Sequence, residues 1–108
     1  MHPILVTLLV VGAGDYTPPP PEAPEWAYYQ CMIENSSKYA RKTSLAEEAI
    51  TAARASCHSL REELLARLYM DAYEFQNSES SKRSSAHLLR RIDGQLYPFF
   101  VKAALDSK

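Results

Sequence analysis

Residues 44–76 decide the fold class, and they read SLAEEAITAARASCHSLREELLARLYMDAYEFQ. Apolar residues recur there at steps of three or four, the spacing that lines one face of an α-helix. The stripe consists of Ala46, Ile50, Ala53, Cys57, Leu60, Leu64, Leu68, Ala72 and Phe75. Because Ser44-Leu-Ala-Glu47 has the form of a capping box, we predict one long helix from Ser44 to about Gln76. Its early stripe is rich in alanine, so another helix can approach closely there.

A shorter helix is predicted before this stretch, from about Pro24 to Ala40. Its apolar residues fall on two nearly opposite faces at 100° per residue. One face holds Trp26, Tyr29 and Ile33, and the other holds Tyr28, Cys31, Met32 and Tyr39. A helix with two apolar faces is expected to contact two neighbours.

A third helix is predicted to begin at Ser84 or Ser85, after a serine-rich loop over residues 77–85. Its apolar face consists of Leu88, Leu89, Ile92, Leu96, Phe99, Phe100 and Ala103. Pro98 lies inside this pattern, four residues after Gly94, and predicts a kink or break. The fold class is therefore all-α, either a three-helix bundle or a long helical hairpin plus a kinked third helix, with one interhelical disulfide.

The N-terminal residues lie outside this helical domain in our interpretation. Residues 1–14 combine an eight-residue apolar run with Gly12-Ala13-Gly14, which is typical of a signal peptide, although Lys and Arg are missing before the run. A buried strand and a hydrophobic anchor are the alternatives. Residues 15–24 are a proline-rich linker that favours an extended spacer. A single helical domain over residues 25–108 follows, and we expect the protein to be exported, either periplasmic or secreted, with no stable membrane span after signal removal.

Cys31 and Cys57 lie on apolar faces of two helices that a turn near residues 41–44 would make antiparallel. Cys31 precedes that turn by about 11 residues and Cys57 follows it by about 14, so the two differ in height by roughly 4 Å. A modest tilt absorbs that difference, and we predict a disulfide between them. The alternative is two buried free thiols in a cytosolic protein.

The pattern Trp26-x4-Cys31, followed by Ala49-x3-Ala53-x3-Cys57, resembles small, uncharacterised exported bacterial proteins with a disulfide-pinned helix pair. The resemblance covers residues 26–64. It implies the same cysteine pairing and the same export, and it implies no activity.

Charge limits the partners that the chain can have. The net charge is −1, so the basic excess typical of nucleic-acid binding is missing and we expect no such partner. The final third is nevertheless locally basic. Its candidate residues for binding an anion or a protein partner are Lys82, Arg83, Arg90 and Arg91, beside His87. The alternative is an ordinary solvated helix face.

One combination of residues suggests metal chemistry. His58 and Glu62 share a helix face, and His87 could approach from the third helix to give a three-ligand site. A surface histidine beside an ordinary helical neighbour explains the same spacing, so we assign no metal and no cofactor. The serines match no nucleophile motif, and we expect no enzyme.

The function that the sequence favours is protein interaction or a structural role. Leu65, Tyr69 and Tyr73 lie off the main apolar stripe, and the first helix has a second apolar face. These residues would leave apolar surface after one small bundle forms, so we expect a protein partner or self-association. The alternative is an envelope metal-binding protein or enzyme that uses His58, Glu62 and His87.

Overall fold

The computed structural model describes residues 17–75 and 77–108, and within them it contains four α-helices and no strand. These helices are α1 (Trp26–Ala40), α2 (Ala46–Ser56), α3 (His58–Tyr73) and α4 (Ser78–Asp106). The all-α fold class is confirmed. In the described ranges, none of the helices has the length and apolar character that crossing a membrane requires.

The start of the chain lies largely outside the described residues. This applies to the predicted signal peptide at residues 1–14 and to the first two linker residues. From residue 17 the linker can be followed, and Pro19 is buried. The amide of Ala23 donates to the Pro20 carbonyl over 2.9 Å, and the amide of Trp26 donates to the Ala23 carbonyl over 3.1 Å. The linker therefore turns into α1, where an extended spacer was expected.

The single long helix predicted from Ser44 to Gln76 is wrong, because the chain divides at Cys57 into α2 and α3. Cys57 has φ −100° and ψ 15°, outside the helical range. Glycine and proline are missing from this segment, so its local pattern carries no sign of a break. Cys57 is instead held from outside the segment, by its disulfide to Cys31 in α1.

The N-terminus of α2 also differs from the prediction by one residue. Leu45 is extended, with φ −113° and ψ 143°, so α2 begins at Ala46. The third helical position is then Glu48, where Glu47 was expected. Its carboxylate accepts hydrogen bonds from the amides of Ser44 and Leu45, each at 3.2 Å. The hydrogen bond predicted from a backbone amide of the first turn to the Ser44 side chain is not formed, because the N-cap residue is Leu45.

The serine-rich loop predicted over residues 77–85 is wrong, because α4 begins at Ser78. Asn77 caps it, with its side-chain oxygen accepting from the Ser80 amide at 2.8 Å. Ser81 and Ser85 are buried, and their hydroxyls donate to the carbonyls of Asn77 and Lys82. A serine that is satisfied by its own helix can be buried as a small residue. The serine content therefore allows close packing here.

Of the kink or break predicted near Pro98, the break does not occur, because α4 continues through Pro98 to Asp106. Proline removes one helical hydrogen bond and crowds the carbonyl four residues earlier, which here belongs to Gly94. The apolar face of α4 continues on both sides of the proline, since Leu96 and Phe100 are both buried. Burial of that face keeps the segment helical.

The core lies where α1, α2 and α4 meet. Tyr28, Met32, Ile50 and Phe100 are buried together, and the rings of Tyr28 and Phe100 meet edge to face with centroids 6.2 Å apart. The predicted disulfide is confirmed, with the Cα atoms of its two cysteines 5.9 Å apart. It fixes α1 against the junction of α2 and α3.

Small residues close the opposite end of the bundle. Ala40, Ala49 and Ala104 form a second buried cluster that joins α1, α2 and α4. This confirms that the alanine-rich start of the stripe packs closely. Phe75, at the other end of the predicted stripe, does not belong to the core, because 84% of it is exposed.

Candidate functional site

The candidate site is an open apolar groove between α3 and α4, with a volume of about 430 Å³. The surface that lines it is mostly apolar. We call it the α3–α4 groove, and its lining residues are Glu62, Leu65, Ala66, Tyr69 and Met70 on α3 and Lys82, Ser85 and Ala86 on α4. Ser85 and Ala86 are small residues on the α4 side, and Leu65, Tyr69 and Met70 are the large apolar residues on the α3 side.

Exposed apolar side chains extend the groove toward the end of α3. Met70 is 64% exposed, Tyr73 is 54% exposed and Phe75 is 84% exposed. The rings of Tyr69 and Tyr73 stack, with centroids 5.8 Å apart and an interplanar angle of 22°. Because Met70 lines the groove and Tyr73 stacks on the lining residue Tyr69, the exposed apolar surface continues beyond the groove along α3.

The surface stays uncovered because α3 contributes little to the core. Among its residues, all of which are described, Leu64 alone is fully buried. Its other apolar residues, including Leu65 and Tyr69, are partly exposed. The sequence prediction that Leu65, Tyr69 and Tyr73 lie off the main stripe corresponds to this surface.

The four predicted basic residues, Lys82, Arg83, Arg90 and Arg91, are all exposed on α4. Lys82 lines the α3–α4 groove. A guanidinium nitrogen of Arg83 donates to the Ser80 hydroxyl at 3.3 Å. The salt bridges between described residues are formed by side chains other than these four. All four side chains are thus exposed, and one of them belongs to the groove.

The three candidate metal ligands are not gathered into one group. Glu62 lines the α3–α4 groove, whereas His87 lies on another surface of α4 with Leu68 and Asp71. His58 is exposed at the start of α3. No group of three or more metal-ligating side chains occurs among residues 17–75 and 77–108.

A polar cluster that the sequence analysis missed surrounds Asp93 of α4. One carboxylate oxygen accepts a hydrogen bond from the Tyr28 hydroxyl at 2.6 Å. The other accepts two from the Arg61 guanidinium, at 2.7 and 3.2 Å. Arg54 of α2 approaches to 3.8 Å. The signal that could have revealed the cluster is Asp93 itself, an acid that lies between Leu89 and Leu96 on an apolar helix face.

The environment of Asp93 changes the protonation of its partners. Burial, and then the hydrogen bond and negative charge of Asp93, raise the pKa of Tyr28 to about 12. Burial acts to lower the pKa of Arg61, but the hydrogen bond and charge of Asp93 outweigh it and the pKa is raised. Tyr28 therefore remains a neutral donor and Arg61 a cation, which suits a structural link between helices.

The Asp93 carboxylate is engaged in contacts between helices. Both carboxylate oxygens are engaged, and the Tyr28 side chain is buried among Phe100 and other core residues. The Nε atom of Arg54 is buried and has no hydrogen-bond partner among the described residues. A substrate would have to displace helix contacts to reach the carboxylate.

The fold and these two sites define a small, all-α, disulfide-linked domain with an uncovered apolar groove. The disulfide indicates an oxidising environment. Comparisons with known protein families, with curated proteins and with solved structures gave no match. The resemblance to exported bacterial proteins with a pinned helix pair therefore stays a prediction.

Proposed function

We propose that this chain is an exported, non-enzymatic helical module that binds another protein, or itself, through the α3–α4 groove. The observation that carries the proposal is the continuity of the groove with exposed Met70, which lines it, and exposed Tyr73, which stacks on the lining residue Tyr69. Contiguous apolar surface of this kind, with polar residues around it, is typical of protein-interaction sites. Tyrosine and methionine are also enriched at the centres of such interfaces.

Export is supported by two independent features. The apolar run and small residues at 4–14 have the composition of a signal peptide. Both cysteines of the chain are joined in one disulfide, which persists in oxidising compartments and is rare in the cytosol. An exported domain of this size also gains most from such a covalent link, because its core is small.

Export is tested by the intact mass of the protein recovered from its producing cells, with thiol alkylation before and after reduction. We expect a mature chain that begins near Gly14 or Asp15 and is alkylated only after reduction. A full-length chain that is freely alkylated would place the protein in the cytosol and overturn this part of the proposal.

Binding is tested by placing a photo-reactive amino acid at Met70 in the producing cells. Leu105 is the matched control, because it is 56% exposed and lies at the far end of α4. We expect a covalent adduct from Met70 and little or none from Leu105. Equal adducts at both positions, or none at Met70, would contradict an interaction through the α3–α4 groove.

A further inference from the structure

We infer that the occupant of the α3–α4 groove is a second copy of this chain, packed antiparallel about a twofold axis perpendicular to the two helices. The inference rests on the proposed function and names the partner of the same surface. Twofold dimers are the commonest assemblies of soluble proteins, and they require a surface that is complementary to itself. The placement of charge in the groove meets that requirement.

The two charged residues of the groove lie at its opposite ends. Glu62 is the lining residue of α3 farthest from the α3–α4 turn, and Met70 is the nearest. Eight residues separate them, which corresponds to about 12 Å along the helix. Lys82 is the lining residue of α4 nearest the same turn. Glu62 and Lys82 therefore lie at different heights and on different helices.

A perpendicular twofold axis exchanges the two ends of the groove. It brings Glu62 of the partner subunit to the height of Lys82, and the symmetry repeats that pairing at the other end. A parallel arrangement would instead place equal ends together and align each Glu62 with its own copy. The antiparallel arrangement alone makes both ends electrostatically complementary.

The centre of the groove suits a twofold axis. Ala66 lies midway between Glu62 and Met70 along α3, and Ala86 lines the facing wall on α4. A side chain near a twofold axis meets its own copy, so small residues there permit close helix contact. Leu65, Tyr69 and Met70 flank this centre and would supply the buried apolar area. The result is a four-helix arrangement built from two α3–α4 pairs.

The experiment is sedimentation velocity of the purified, oxidised mature protein over a wide concentration range. Four variants are compared with it, namely Glu62→Lys, Lys82→Glu, the double variant that carries both, and Glu63→Lys. Glu63 is the matched control because it is an exposed acid on α3 that does not line the groove. Circular dichroism checks that each variant keeps its helix content.

We expect the wild-type chain to dimerise. Each single charge reversal should weaken the dimer by about tenfold or more, because it replaces two attractions with two repulsions. The double variant should return to within about threefold of the wild-type dissociation constant, and Glu63→Lys should match the wild type. Persistent weakening in the double variant would overturn the antiparallel pairing.

The proposed function and this inference fail in different ways. A strictly monomeric wild-type protein that still gives a Met70 adduct with a different protein overturns the second copy as occupant and leaves the proposed function intact. A monomer without any Met70 adduct overturns both. An adduct with the mass of two chains, lost in Glu62→Lys and recovered in the double variant, supports both.

Discussion

The hydroxyl of Tyr28 in α1 donates a hydrogen bond of 2.6 Å to Asp93 in α4, 65 residues later in the chain. The same carboxylate accepts hydrogen bonds from Arg61 of α3 and lies 3.8 Å from Arg54 of α2. One side chain, only 15% exposed, therefore connects the four helices described above. Because its partners come from the three other helices, its effect on stability should be large and specific.

The Tyr28 hydroxyl should make the stability of the protein depend on pH in the alkaline range. Its pKa is raised from 10.0 to about 12 in the folded chain, so folding favours the protonated form. This contribution is complete below pH 10 and is lost as the pH rises to 12. The free energy of unfolding of the wild type should therefore fall by about 2–3 kcal/mol more than that of Tyr28→Phe over this range.

Urea denaturation followed by circular dichroism, at pH 8 and at steps up to pH 12, measures this difference. Tyr73→Phe is the control, because Tyr73 is 54% exposed and stacks only at the surface. It should lose stability with pH in parallel with the wild type. If Tyr28→Phe also followed the wild-type curve, ionisation of the buried Tyr28 hydroxyl would not be the cause of the alkaline loss of stability.

Removing the charge of Asp93 should destabilise the fold by about 2–3 kcal/mol, because hydrogen bonds to charged groups contribute more than neutral ones. The buried donors that now bond to the carboxylate would keep only weaker hydrogen bonds. Asp93→Asn tests this without a large change in volume. Asp106→Asn is the control, since Asp106 pairs with Lys102 on the exposed side of α4. It should change stability by less than about 0.5 kcal/mol. Equal losses of stability in the two variants would show that the Asp93 cluster contributes no more than an exposed ion pair.

Local periodicity was sufficient to predict the parts of the fold that depend on neighbouring residues. The all-α class follows from the three- and four-residue spacing of apolar residues, and the close approach of helices follows from Ala49 and Ala53, both fully buried. The disulfide could also be predicted, because both cysteines fall on apolar faces of helices joined by a short turn. Each of these features is set by short-range sequence.

The errors share a different cause. The division falls at Cys57, which is bonded covalently to another helix, and the local sequence from Ser44 to Gln76 gives no sign of it. The start of α4 was misplaced because serine is common in loops, whereas Ser81 and Ser85 are buried in the folded chain. In both cases, tertiary contacts override the local preference.

The α3–α4 groove and the Asp93 cluster differ in the same respect, because local sequence places the residues of the first and tertiary packing places those of the second. Leu65, Tyr69 and Tyr73 were identified from their position off the main stripe, because the helical period alone places them there. The Asp93 cluster was not, since its members come from different helices and only their packing brings them within hydrogen-bonding distance. In a sequence, such a cluster is indicated by a charged residue on an apolar helix face.

The disulfide should contribute about 3 kcal/mol to stability. Cys31 and Cys57 are 26 residues apart, and closing a loop of that length restricts the unfolded chain by about this amount. The double variant Cys31→Ala, Cys57→Ala should therefore unfold at a lower urea concentration than the oxidised wild type. Reduced wild-type protein should resemble the double variant. An unchanged midpoint would mean that helix packing alone fixes α1 against the α2–α3 junction.

Gly94 should be a site where a single methyl group stabilises the protein. It lies inside α4 and its φ is not positive, and, apart from its chain neighbours and the nearby backbone of its own helix, no atom of the described residues lies within 4 Å of the position that a Cβ would take. Glycine in a helix interior is less favourable than alanine by about 0.5–1 kcal/mol, mainly because it loses more backbone freedom on folding. Gly94→Ala should therefore raise the free energy of unfolding by that amount.

Urea denaturation of Gly94→Ala beside Gln95→Ala tests this, because Gln95 is the exposed neighbour and glutamine and alanine differ little in helix preference. Gln95→Ala should change stability by only a few tenths of a kcal/mol. Loss of stability in Gly94→Ala would point to the backbone, since Pro98 crowds the Gly94 carbonyl and a glycine can yield to that crowding more easily than alanine. An increase in stability therefore indicates an ordinary helical glycine, and a decrease indicates a glycine that relieves the crowding by Pro98.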